Sequence, residues 1–156
     1  MGRGPRRDRE PAPLKLLAQD GRDLEVISAA VQDAVLKVGD IRFEPGARRL
    51  TLALNRYRWE RGRGSRERVR SALQFGDVME VQARRIRREA PEAVLELLAA
   101  TFEPAGPEDP GGVVTLAFAG GGDLRLRVEA VEAVLADISG PWPAQSVPRH
   151  DLPAEG

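Results

Sequence analysis

The sequence predicts an α+β fold: an antiparallel sheet of six or seven strands, or a partly closed barrel, with one helix near the N-terminus. Three observations carry this. Apolar residues alternate every second position through most of the chain, which is the signature of strands with one buried face. Only residues 20–34 sustain helical spacing with a cap in front. Short apolar words recur about 59 residues apart, as in Asp33-Ala34-Val35-Leu36 and Glu92-Ala93-Val94-Leu95.

Residues 1–13 carry glycine, proline and charge without apolar period, and read as a disordered tail. Leu14, Leu16 and Leu17 begin the ordered part as a short extended edge. Asp20 or Asp23 then caps a helix, because a side-chain oxygen there can accept from orphan amides of the first turn. Leu24, Ile27, Val31 and either Ser28 or Ala34 form its apolar stripe, with Glu25, Gln32 and Asp33 opposite.

Val35–Glu44 reads as a strand broken at Gly39-Asp40, and Pro45-Gly46 supplies the turn that follows, proline presetting φ and glycine accepting a positive one. The strand Arg48–Trp59 returns antiparallel and is the stretch around which the chain is organised. Leu50, Leu52 and Leu54 share a face, and from Asn55 the phase changes: Arg56 and Arg58 take the leucine face while Tyr57 and Trp59 take the other. That requires a bulge near Asn55 or cover on both faces. Residues 61–67 form a polar loop.

Val69, Ser71, Leu73, Phe75, Met79, Val81 and Ala83 keep one parity, which favours a single long strand kinked at Gly76 over a hairpin at Gly76-Asp77. In APEAVLELLAA the helix formers argue for a helix entered at Pro91. The repeat argues otherwise: Phe43-Glu44-Pro45 and Phe102-Glu103-Pro104 keep the same offset, so Leu95–Phe102 is read as a strand, with a helical turn leading into it as the compatible alternative. Thr51-Leu52-Ala53 recurs as Thr115-Leu116-Ala117, and Arg68-Val69-Arg70 aligns next with Arg125-Leu126-Arg127. These matches suggest a duplicated three-stranded unit, residues 33–86 and 92–138.

Residues 104–112 form a loop, and Val114–Phe118 with Leu124–Val128 form a hairpin across Ala119–Asp123. Val131, Val134, Leu135 and Ile138 shift to helical spacing and predict a short closing helix, where the repeat would continue the strand. The ordered domain spans 14–140. Residues 141–156 are a proline-rich tail whose Trp142 can dock on the body.

With 156 residues, 42% hydrophobic, the chain suits one domain with a true core. No window approaches the roughly 18 apolar residues of a membrane span, and the first residues lack the apolar segment of a secretion signal, so a cytoplasmic location is expected. Cysteine is absent and His150 is the sole histidine, which leaves no thiolate chemistry and no ordinary metal or Ser-His-Asp set. No cofactor and no metal are expected. Formal charge is zero, which argues against bulk electrostatic attraction to nucleic acid.

The most suggestive chemistry is arginine among aromatics. If the strands bearing Arg56 and Arg58 and Arg68 and Arg70 pair, four guanidinium groups could share one sheet face, with Tyr57 or Trp59 as a stacking platform for RNA or a small anionic ligand. The plainer reading is a solvated face balanced by Glu60, Glu67 and Glu80, with Tyr57 and Trp59 in the core. Aromatics are only 4% of the chain, so the core needs most of them. The glycine run 119–122 lacks the Lys-Ser or Lys-Thr and the following helix of a phosphate loop. Gly62 and Gly64, in a single RGRG copy, read as flexible turn. Asp40, Asp77, Asp123 and Asp137 fall at turns or element ends, where backbone hydrogen bonding accounts for aspartate. No catalytic residue emerges.

The segments LKLLAQDGRDLEVISAAVQDAVLKVGDI, RRLTLALNRYRWE, RVRSALQFGDV, AVLELLAATFEP and FAGGGDLRLRVEAVEAVLADIS resemble an uncharacterised bacterial family, domain of unknown function 2948, over about residues 14–150. Its most distinctive words here are Asn55–Glu60, Arg68–Leu73 and Phe102-Glu103-Pro104. The resemblance implies a small cytoplasmic protein and no assigned activity or site. A curved sheet with a helix against it would also be pleckstrin-homology-like in architecture, an analogy that carries no function. The expected function is a non-enzymatic binding or adaptor domain that offers a sheet face or edge to a protein partner. Homo-oligomers through an edge are compatible with it, and anion or RNA binding is the alternative.

Overall fold

Asp20 sets the start of the helix. Its carboxylate accepts from the Asp23 amide at 2.8 Å, and α1 (Gly21–Ala30) buries Leu24 and Ile27, with Val31 just beyond its end. Ahead of it lies β1 (Lys15–Ala18). The nine further strands are β2 (Val35–Lys37), β3 (Ile41–Glu44), β4 (Arg49–Tyr57), β5 (Arg68–Phe75), β6 (Val78–Arg84), β7 (Val94–Pro104), β8 (Gly112–Phe118), β9 (Asp123–Val128) and β10 (Ala133–Asp137). The structure is a computed structural model that describes residues 13–58 and 67–138. Trp59, the loop arginines Arg61, Arg63 and Arg66, both tails, Trp142 and His150 lie outside the described residues.

The fold is α+β, with one α-helix and one large antiparallel sheet among the described residues, and the sheet does not close into a barrel. The sheet order is β1-β10-β5-β4-β2-β7-β8-β9-β6, and β3 pairs with β4 beside β2. Six or seven strands were expected and ten are described. Part of the excess comes from the break at Gly39-Asp40, where Val38–Asp40 form a 3-10 turn between β2 and β3.

Residues 69–83 are not one strand. The chain turns a corner at Gly76-Asp77, with Asp77 at φ 55, and the two halves join different neighbours: β5 pairs with β4 and β10, β6 with β9. The single parity survives because the corner brings Phe75 and Val78 both inward and the register then shifts between Val78 and Glu80. Val81 and Ala83 thereby return to the inner side opposite Leu126 and Leu124. The closing segment is a strand, β10 at Ala133–Asp137, rather than a helix. Ala133 and Leu135 are buried on its inner face, and it is clamped between β1 and β5. The turn after β3 also differs in detail: Arg48, not Gly46, takes the left-handed conformation, at φ 54. The glycine turn after β8 does use positive φ, at Gly120 and Gly121. β7 is a strand despite its helix formers, held on one side by β2 and on the other by β8.

Two lateral rows of inner side chains organise the core. One runs Phe43, Leu50, Phe75, Ala133 and the other Phe102, Val114, Leu126, Val81, each residue opposite the next on the adjoining strand. In parallel with them run Ile41, Leu52, Leu73, Leu135 and Ala100, Leu116, Leu124, Ala83. In both rows the fourth strand comes from the other half of the chain. The halves meet where Leu36 pairs with Leu95, and two hydrogen bonds flank that point reciprocally: Val38 N to Ala93 O at 2.9 Å and Leu97 N to Ala34 O at 2.8 Å. The registers set Leu73 at the position of Leu124, which displaces the alignment of Arg68–Arg70 with Arg125–Arg127.

Candidate functional site

The phase change in β4 produces no bulge. Its register with β5 is unbroken from Leu50 opposite Phe75 to Tyr57 opposite Arg68. Since residues opposite one another in an antiparallel pair share a face, Arg56 lies with Val69 and Leu54 with Ser71 on the inner face, while Asn55 with Arg70 and Tyr57 with Arg68 lie on the outer one. The strands pair, yet the four guanidinium groups are divided between two faces. The single arginine-lined face is therefore corrected by the register itself.

Arg56 is fully buried and is held by Asp137, whose side chain is only 2% exposed. Its Nε donates to Asp137 Oδ1 at 3.1 Å and to Ser71 Oγ at 3.2 Å, and its terminal nitrogens donate to Asp137 Oδ2 and the Tyr57 carbonyl, both at 3.2 Å. Ser71 Oγ donates to Asp137 Oδ1 at 2.7 Å, and the Leu14 amide donates to Asp137 Oδ2 at 2.8 Å. One carboxylate thus ties together β4, β5, β10 and the residue that leads into β1. A buried guanidinium is tolerable only when its donors are met in this way.

Arg58, also buried, faces Glu67 at 3.6 Å. On the outer face Arg68 lies 4.9 Å from the centre of the Tyr57 ring and donates to Tyr57 Oη at 2.9 Å. Arg70 reaches Asn55 Oδ1 and Asp40 Oδ2, each at 3.4 Å. Asp40, Asp123 and Asp137, expected to serve local backbone, instead hold arginines distant in sequence. Arg84 bonds Asp123 at 2.8 Å, and this hydrogen bond, aided by the charges of Arg84, Arg125 and Arg85, holds the Asp123 carboxyl below its ordinary 3.8. Arg49 does the same to Glu44. All four aspartates do lie at turns or element ends: Asp40 in the 3-10 turn, Asp77 at the corner, Asp123 at the start of β9 and Asp137 at the end of β10.

The feature that sequence reading missed is a groove of about 410 Å³ between β3 and β6. Ile41 and Phe43 form one wall and Val81 and Ala83 the other, over Leu50 and Leu124, with Ile86 and Arg88 at the rim. β3 pairs only with β4 and β6 only with β9, so each wall carries a strand edge without a strand partner among the described residues. Hydrogen bonds close both ends, from Val78 N to Arg48 O and from Gly39 N to Pro91 O. The signal for it was present in the alternation of β6, whose apolar side is only half covered, but became legible only once β6 was separated from β5. A second depression of about 480 Å³ lies at the 105–111 loop, and its Arg127 is held by Glu80 at 3.3 Å. Among the described residues no group of three or more acids or histidines could hold a metal ion, and no helix is long and apolar enough to cross a membrane.

A family model described as "Protein of unknown function (DUF2948)" matches residues 14–150. No curated protein and no solved structure matches the chain.

Proposed function

We propose for this chain, which belongs to the DUF2948 family of proteins of unknown function, that it is a non-enzymatic binding or adaptor domain engaging a protein partner in the bacterial cytoplasm. The observation that carries this reading is the β3–β6 groove, an apolar concavity whose two walls are strand edges without strand partners. Exposed edges and apolar concavities are where proteins add strands or dock helices. The alternative, anion or RNA binding by Arg56, Tyr57, Arg58, Trp59, Arg68 and Arg70, has less behind it. Three of its arginines, Arg56, Arg58 and Arg70, are buried, and Arg68 and Arg70 on the other face are engaged by Tyr57 and Asp40. The matching registers of the two halves favour a duplication of residues 33–86 and 92–138. The pleckstrin-homology-like analogy adds nothing to this reading.

The test is a photo-crosslinking residue placed in the cell at Ile86, on the groove rim, and separately at Arg125, exposed away from it. The expected result is a discrete adduct with one other protein from position 86, absent from position 125 and lost with Val81→Asp. Adduct yields that do not depend on position or on Val81 would overturn the reading. So would binding of short RNA at low salt that Arg68→Glu abolishes.

A further inference from the structure

We infer that the β3–β6 groove receives an amphipathic helix from the partner, with branched aliphatic residues at i, i+3 and i+7 and acidic residues beside them. This rests on the protein-binding reading above and names the chemistry of the partner. The argument is internal to the fold. Following the paired rows, Ile41, Phe43 and Leu50 stand where Ala100, Phe102 and Val114 stand in the other half, and Val81 and Ala83 stand where Ala133 and Leu135 do.

In that other half the corresponding space is filled. α1 lies against β7, where Ser28 Oγ accepts from the Ala100 amide at 2.9 Å and Gly21 packs against the Phe102 ring. β1 covers the outer edge of β10, with Leu16 opposite Leu135 and Ala18 opposite Ala133. Under this cover Ala100 and Ala133 are 2% exposed and Leu135 is fully buried. Their counterparts Ile41, Val81 and Ala83 are only half-buried. One half of the molecule thus carries its own strand and helix, and the other presents the same kind of surface without them.

The covering helix shows what such a surface accepts. Leu24, Ile27 and Val31 sit at i, i+3 and i+7, and residues 19–34 contain four acids against one arginine. At the groove, Arg88 lines the opening without an ion pair among the described residues, whereas Arg84 and Arg87 nearby in sequence are held by Asp123 and Glu89. An acidic flank on the incoming helix complements that rim.

The experiment titrates the full-length ¹⁵N-labelled protein with a capped synthetic peptide of residues 19–34 and with a scrambled peptide of the same composition, up to millimolar concentration. The expected result is saturable shifts of amides at Ile41, Phe43, Val81, Ala83 and Ile86 with the native order only. Arg88→Glu should weaken binding about two- to fivefold, the range of one exposed ion pair. Val81→Asp should weaken it by about tenfold or more, because it places a charge on an apolar wall. If Val81→Asp fails to fold, the exposed Arg88→Glu decides. No shifts, equal shifts with the scrambled peptide, or shifts confined to α1 and β7 would overturn the inference. So would a mass doubling in solution that Arg88→Glu abolishes, since the occupant would then be a second copy. A partner crosslinked at position 86 together with a silent peptide would leave protein binding standing and overturn the helix.

Discussion

Asp137→Ala should be among the most damaging single changes outside the apolar core. The substitution leaves Arg56, fully buried, without its counter-ion, and strips acceptors from Ser71 Oγ and the Leu14 amide. Removing one partner of a buried pair costs about 3–5 kcal/mol, a large share of the roughly 5–15 kcal/mol that holds a domain together. Urea unfolding reads this as a midpoint shift of about 2 M, taking m near 2 kcal/mol/M. Arg56→Met should cost about as much, because the carboxylate is then stranded. The double variant Arg56→Met/Asp137→Leu is the decisive arm. With no buried charge left, it should be more stable than either single variant, giving a coupling of several kcal/mol in the cycle. Single costs under about 1 kcal/mol, as for an exposed pair, or strict additivity in the double, would refute the account of Arg56 as a framework residue.

Three further outcomes follow from particular contacts. Asp123 titrates below its ordinary 3.8 because Arg84 bonds it, so the pair adds stability that is full above 3.8 and is lost as pH falls through the lower native value. In Arg84→Gln the Asp123 midpoint, followed by carboxyl NMR, should rise toward 3.8 and the acid limb of stability should flatten. Gly112→Ala places a Cβ against the Glu103 carbonyl oxygen and 2.9 Å from Pro104 Cα, both backbone atoms, so β7 and β8 must separate. A loss of about 1–3 kcal/mol or more in urea unfolding is expected. Asp20→Ala removes the acceptor for the Asp23 amide and should cost about 1 kcal/mol by the same assay.

What the sequence made legible is what local chemistry decides. Asp20 as cap, the Leu24, Ile27 and Val31 stripe, and the 114–128 hairpin each follow from residues within a few positions of one another. β7 was legible only through the repeat, since its local propensity is helical and pairing with β2 and β8 overrides it. Two readings failed because period is not pairing. The parity of residues 69–83 is produced by a corner plus a register shift, which alternation alone cannot distinguish from a continuous strand. The spacing of Val131, Val134, Leu135 and Ile138 resembles a helix because Val131 is buried ahead of the strand rather than within it. Within the candidate site, the arginines were found but their sides were not. Faces depend on which residue of β5 stands opposite Arg56, and Val69 rather than Arg68 or Arg70 does so. Asp137 was missed for the same reason: 81 residues separate it from Arg56, and only the pairing of β10 with β5 brings them together.

The role of Arg56 as an internal framework residue can be read on one resonance, its own Nε–H. Locked between Asp137 and Ser71 beneath the sheet, it should exchange slowly with solvent and keep its shift throughout a phosphate titration at low salt. Rapid exchange, or a shift that follows added phosphate, would place that guanidinium at an anion site and contradict both this role and the proposal that the groove is the working surface.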